Sequence, residues 1–202
     1  MTATMEPTTS LHMPDFRSPD FLTDHILHTL AFYETRNLDA TGGFFHFFRD
    51  DGTVYDRRTR HLVSSTRFVF NHATAYRRFG KPADLAAARH GLAFIEHAHR
   101  QQDGGYAWQL DWHEQRATVQ DATNRCYGLD FVLLAQAHAL MAGIEEAYPG
   151  LDHTWRLMDA HFWSRGTSFM PTRPRPTGAS VPTGGRTPTC TPAKPCWPPT
   201  PP

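Results

Sequence analysis

An all-α protein is expected from this sequence: an α/α hairpin array or partial α/α toroid with short β-hairpin loops, followed by a disordered Pro-rich tail. Three observations lead there. Apolar residues recur at helical spacing in five separate segments. Gly-rich loop openings return after a fixed interval: Gly42-Gly43-Phe44-Phe45 and Gly104-Gly105-Tyr106-Ala107-Trp108 stand 62 positions apart, the mark of repeated supersecondary units that bury their faces against neighbours. The composition then breaks after Trp163, since residues 164–202 hold 11 of the 16 prolines and no Asp, Glu or His. The chain so divides into a flexible start over 1–16, a partial toroid over 17–163 and a tail over 164–202.

Taken in order, the start is polar and carries Glu6, with no basic stretch and no apolar run, so no secretory signal is expected. Ser18-Pro19 reads as an N-cap followed by proline at the first helical position, and Leu22, Ile26, Leu30 and Tyr33 continue at helical spacing. The first Gly-rich loop leads to Asp51-Gly52, a hairpin-turn signal. A second helix is expected to open at Ser64-Ser65, carry Phe68, Ala73 and Tyr76, and stop at Gly80 with Pro82 beyond. A third places Leu85, Ala88, Leu92 and Ile95 on one face. The second Gly-rich loop opens a similar hairpin, and a fourth helix is expected from about Asp121 to Met141, with Tyr127, Phe131, Leu134 and His138 on one stripe and Gly143 at its end. A shorter helix holds Trp155, Met158 and Phe162.

Composition narrows the function. Hydrophobic residues make up 40% of the chain, with 14 Phe, 5 Trp and 6 Tyr, which is enough for a core. Lys plus Arg and Asp plus Glu are equal at 20 each, so no bulk charge points to nucleic acid or an anionic membrane, and no stretch approaches a membrane span. Cys126, Cys190 and Cys196 are odd in number and fit no disulfide framework or zinc spacing, so a reducing cytoplasm is the expected location. His25 and His28 are three apart on a helix but have no third ligand, and no metal is expected. Arg57, Arg58 and Arg60 read as solvated loop charge. A glycoside hydrolase on the same architecture would need paired carboxylates, and no convincing pair is present.

The tail has a second reading. Prolines at this density remove amide donors and fix φ, so neither helix nor sheet continues. Read one base out of register, Cys196-Trp197 is forced to give Leu, while Trp197-Pro198 and Met170-Pro171 are forced to give Ala. With permissive third bases, residues 187–200 become A-N-M-H-T-C-E-A-M-L-A-A-Y, an amphipathic helix pattern, and residues 168–172 allow L-Y-A-D. The expectation is that 164–202 is translated out of frame.

The run Arg60-His61-Leu62-Val63-Ser64-Ser65-Thr66-Arg67-Phe68-Val69-Phe70-Asn71 resembles the second-helix motif of the N-acylglucosamine 2-epimerase / mannose isomerase family. Both Gly-rich openings, His90-Gly91-Leu92, Tyr127-Gly128-Leu129, Phe131-Val132-Leu133-Leu134-Ala135 and His161-Phe162-Trp163 add to the resemblance, which covers residues 38–163. It implies a six-hairpin α/α toroid about twice this length and a cofactor-independent isomerase or 2-epimerase of the mannose–fructose type. In that chemistry a small-molecule sugar opens and a proton moves between adjacent carbons through an enediolate. Histidines act as acid and base, as imidazole titrates near neutral pH, and no metal or other cofactor is needed. By resemblance Arg67 reaches the sugar oxygens and Tyr127 lines the pocket; without it, Arg67 reads as a solvated or ion-paired arginine and Tyr127 as a core aromatic. Trp108 either walls the pocket or packs its own loop. Neither His61 nor His90 takes the proton-transfer role. The acid/base histidines belong to segments this chain does not encode in frame, so a truncated, inactive chain is expected. The alternative is a carbohydrate-binding helical domain with a Pro-rich tail and no turnover. Oligomeric state is not legible.

Overall fold

Ser18 caps the first helix as its sequence requires: its side chain accepts the Phe21 amide at 3.4 Å, and Pro19 opens α1 (Pro19–Tyr33). The computed structural model describes residues 13–34 and 36–162. A two-stranded hairpin follows, β1 (Phe47–Phe48) and β2 (Val54–Asp56), turning at Gly52 with φ 82°. β3 (Thr59–His61) runs directly into α2 (Leu62–Phe79), so α2 begins two residues before the expected Ser64. It ends where expected. Gly80 adopts φ 73°, a conformation that penalises a Cβ, and returns its amide to the Tyr76 carbonyl at 2.7 Å.

α3 (Pro82–Phe94) is prolonged by one π turn over Ile95–His99. β4 (Gln109–His113) then pairs antiparallel with both β3 and β5 (Arg116–Asp121). The β4–β5 turn is made by Glu114 and Gln115, both at positive φ. The fourth helix expected from Asp121 therefore starts later, as α4 (Cys126–Met141), because Arg116–Asp121 is claimed by the sheet. A 3₁₀ turn at Glu145–Ala147 leads into α5 (Tyr148–His161).

The 62-residue interval is written into the backbone. Phe45 donates to the Asn37 carbonyl and Ala107 to that of His99; Asp39 donates to Gly43 and Gln101 to Gly105; Leu38 bridges Phe44 and Arg100 bridges Tyr106. Each unit is a helical hairpin, α2/α3 or α4/α5, entered through such a loop. One apolar cluster joins them, with Phe44, Val69, Leu92, Tyr106, Leu129, Val132 and Phe162 at its centre. α3 approaches Phe44 so closely that a Cβ on Gly91 would collide with its ring. On α4 the buried face is Leu129, Val132, Ala135, Gln136 and Ala139, not the expected stripe, whose members are half-buried or exposed.

Several charged and polar side chains inside this fold find partners, although Asn37 Oδ1, Arg60 Nε, Asn124 Oδ1 and Gln136 Oε1 are buried without one among the described residues. Arg60, read from sequence as solvated, is fully buried against Asp39, while Arg58 pairs with Asp111 across the sheet. His72 bridges Asp84 at 2.8 Å and Asn37 at 2.9 Å, tying α2 to α3 and to the first loop. Residues 1–12 and 164–202, with Cys190 and Cys196, lie outside the described residues, and so do the expected flexible start, the Pro-rich tail and Trp163.

Candidate functional site

α2 and α4 lie side by side and parallel, because their contacts advance together: Arg67 meets Tyr127 and Phe131, Phe70 and Thr74 meet His138, and Arg77 meets Met141. Their N-terminal ends emerge at the same edge, beside the three-stranded sheet. Neither helix carries an acidic residue in its first turn or a side-chain N-cap. The first-turn amides of both therefore leave positive ends of the helix dipoles there.

Arg67 and Tyr127 come together at that edge. Arg67 Nη2 lies 3.4 Å from the Tyr127 hydroxyl, and the guanidinium sits 4.6 Å from the Phe131 ring centroid. Both residues are exposed, and Arg67 forms no ion pair among the described residues. The exposed side of α4 that sequence periodicity marked as core is thus the face turned toward this arginine.

Trp108 stands beside them, with its ring 6.4 Å from that of Tyr127. It is clasped rather than free. The Arg125 guanidinium is 4.5 Å from its centroid, the His61 ring meets it edge-on at 4.5 Å, and a Cβ on Gly128 would lie 3.2 Å away. Its backbone bridges Leu62 and Asp121. Loop packing therefore fixes Trp108, in a place that also borders Tyr127. Arg125 is held by Asp121 at 3.0 Å. Sequence reading missed Arg125; its place at the N-cap of α4, next to Tyr127, was the available signal.

A cleft of about 180 Å³ opens on the other side of Arg67, lined also by Tyr33, His46, Ser64, Phe68 and Asn71. Larger clefts, of about 350 Å³ between α1 and α2 and about 560 Å³ between α4 and α5, have mostly apolar walls and lie away from Arg67. Burial holds the imidazoles of this region below their ordinary value. His99 is pushed down to about 4; His46 lies well below, by burial and then the Arg60 charge; His61 is lowered by burial and then Arg125. All three are uncharged at neutral pH. His90 instead bonds the Gly43 carbonyl at 3.0 Å. His25 and His28 are exposed on α1, and no group of three or more metal-ligating side chains occurs among the described residues. No described helix is long and apolar enough to cross a membrane.

Comparison with known proteins places the fold in a family. The family model for N-acylglucosamine 2-epimerase matches residues 43–180, continuing past the compositional break at Trp163. A D-mannose isomerase of Marinomonas mediterranea is 49% identical over 150 residues, 74% of this chain and 37% of that protein. A D-mannose isomerase crystal structure superposes with TM-score 0.73 at 47% identity, over 77% of this chain and 39% of the other. A cellobiose 2-epimerase from Bacillus thermoamylovorans shares the fold, with TM-score 0.67 at 20% identity over 76% and 40% of the two chains. The chain thus spans under half the length of these relatives. It belongs to the N-acylglucosamine 2-epimerase family.

Proposed function

We propose that this chain forms one wall of the sugar site of a cofactor-independent aldose–ketose isomerase of the mannose–fructose type. The observation that carries this is the meeting of Arg67 and Tyr127 at the shared N-terminal edge of α2 and α4, with Arg67 free of any carboxylate among the described residues. A planar guanidinium presents several donors to the oxygens of a polyol. Beside two helix N-termini it also suits the oxyanion that develops when a proton leaves the carbon next to a carbonyl. Tyr127 supplies a hydroxyl next to it, and Trp108 walls the same edge. The 49% identity to a D-mannose isomerase supports this substrate class over others.

The two hairpins continue, in the complete enzyme, into a closed α/α toroid whose remaining helices bring the acid and base imidazoles. The described histidines do not fill that role: His46, His61 and His99 are desolvated and engaged in hydrogen bonds or ring contacts. The 202-residue chain binds sugar without turning it over, and the codons after Trp163 are read one frame from those of the isomerase. The enzyme acts in the cytoplasm, in keeping with cysteines that fit no disulfide framework.

Repairing the frame by one base after codon 163 and assaying mannose–fructose interconversion tests this. The repaired protein is expected to be active, and Arg67→Ala to lower its kcat/KM by about a hundredfold, the scale of a lost oxyanion donor. Tyr127→Phe should cost roughly tenfold, the worth of one hydrogen bond of about 1.4 kcal/mol. An inert repaired protein, or one indifferent to Arg67, would contradict the proposal.

A further inference from the structure

His46, Ser65 and His99 form a hydrogen-bonded chain that joins the two loop units through α2. Ser65 Oγ is 3.2 Å from His99 Nε2 and 3.4 Å from His46 Nε2. At one end His99 Nδ1 lies 2.9 Å from the Ala107 carbonyl; at the other the His61 backbone amide reaches His46 Nδ1 at 3.2 Å. These end groups fix both tautomers. A carbonyl only accepts, so His99 is protonated on Nδ1 and its Nε2 accepts the Ser65 hydroxyl proton. An amide only donates, so His46 has a bare Nδ1 and carries its proton on Nε2. The direction is therefore His46 Nε2–H to Ser65 Oγ–H to His99 Nε2.

The first link of that chain is at the outer limit of hydrogen-bond length, so the Nε2–H of His46 is a donor only loosely engaged. The same ring lines the cleft of about 180 Å³ shared with Arg67, Ser64 and Asn71. The side chains of Ser64 and Asn71 make no hydrogen bond to the described residues. One cation, one neutral ring donor, one amide and the hydroxyls of Ser64 and Tyr33 thus belong to the residues that line this cleft, together with the rings of Tyr33 and Phe68. That set matches adjacent hydroxyls of a polyol, each of which both donates and accepts.

We propose that His46 is a further substrate-contacting residue, donating from Nε2 to a hexose hydroxyl whose neighbours are held by Arg67 and Asn71. The inference rests on the sugar-site reading above and adds a contact to it. The His61 backbone amide and His99 are positioning groups: the amide holds the Nδ1 side of the ring, and His99, by accepting the Ser65 hydroxyl proton, leaves Ser65 Oγ as the weak acceptor from which the sugar hydroxyl takes the His46 Nε2–H.

Imidazole and guanidinium NMR on the labelled 202-residue chain, titrated with D-mannose and D-fructose, tests the assignment. His46 should appear as the Nε2–H tautomer. Its signals and those of Arg67 should shift together with sugar, while His153, which bonds Gly104, stays still. His46→Ala should weaken binding roughly tenfold, and His46→Gln, which restores an N–H donor, should recover most of it. Thermal melts report whether each variant folds. Shifts at Arg67 without shifts at His46, or a folded His46→Ala that binds as wild type, overturn the role of His46 and leave the Arg67 reading standing. Absence of binding, or binding unaffected by Arg67→Ala, overturns both.

Discussion

Arg60 and Arg67 stand one heptad apart and have opposite fates, which the order of residues does not reveal. Arg60 leaves β3 toward the interior, where its guanidinium lies buried against Asp39 and also reaches the carbonyls of Arg57 and Thr59. Removing one partner strands the other charge in a low-dielectric site. Asp39→Ala should therefore lower stability by about 3–5 kcal/mol in urea unfolding; a loss below about 1 kcal/mol would show the pair to be solvated. Arg57, Arg58 and Arg60 looked alike in sequence because the acids that sort them, Asp39 and Asp111, are distant in the chain. Arg67 was legible only through the motif around it. His99 was invisible as a buried group, since nothing local marks the π turn that carries it inward. Its imidazole titrates near 4 when folded and near 6.5 when unfolded, so the unfolded chain binds more protons between those values. Stability should be level above about pH 7 and fall as the pH drops from 6.5 toward 4, by up to about 3 kcal/mol from this group. A pH series of urea midpoints checks it: the slope should shrink in His99→Gln, and an unchanged slope would remove His99 as the cause.

Helix ends read well and sheet pairings read poorly, for a physical reason. Ser18-Pro19 and Gly80 act through their own backbone neighbours, so α1 and the end of α2 lay where expected. β3 pairs with β4 some fifty residues away, and Arg116–Asp121 becomes a strand instead of the lead-in to α4 only by pairing with β4 across the Glu114-Gln115 turn. α4 itself is apolar on nearly every side, so its period does not single out a buried face. The stripe of Tyr127, Phe131, Leu134 and His138 proved to be the side facing Arg67, Phe70 and Thr74. The contact of α3 with the first loop tests the packing between these units. Gly91→Ala places a Cβ against the ring of Phe44 and near Val69, and overpacking of this kind typically costs about 1–3 kcal/mol. Differential scanning calorimetry should show that loss; an unchanged melting temperature would mean that α3 shifts freely against Phe44.

Across the molecule, apolar surface is left open on both flanks of the two hairpins. α1 buries no residue and exposes Leu22, Ile26 and Leu27, while Tyr148 and Trp155 are more than half exposed beside the cleft between α4 and α5. Repeat arrays normally cover such faces with the next unit or a cap. Sedimentation velocity on the 202-residue chain should show self-association that grows with concentration, and a clean monomer at high concentration would argue against open flanks. The repeat and its interval were plain in the two Gly-rich loops, and the backbone repeats them bond for bond. On the proposal above, the chain holds the sugar-facing wall and lacks the groups that move the proton. Solvent deuterium exchange at C2 of D-mannose measures that directly: the 202-residue chain should leave the C2 proton in place over many hours while the frame-repaired protein exchanges it, and exchange catalysed by the 202-residue chain would contradict the account.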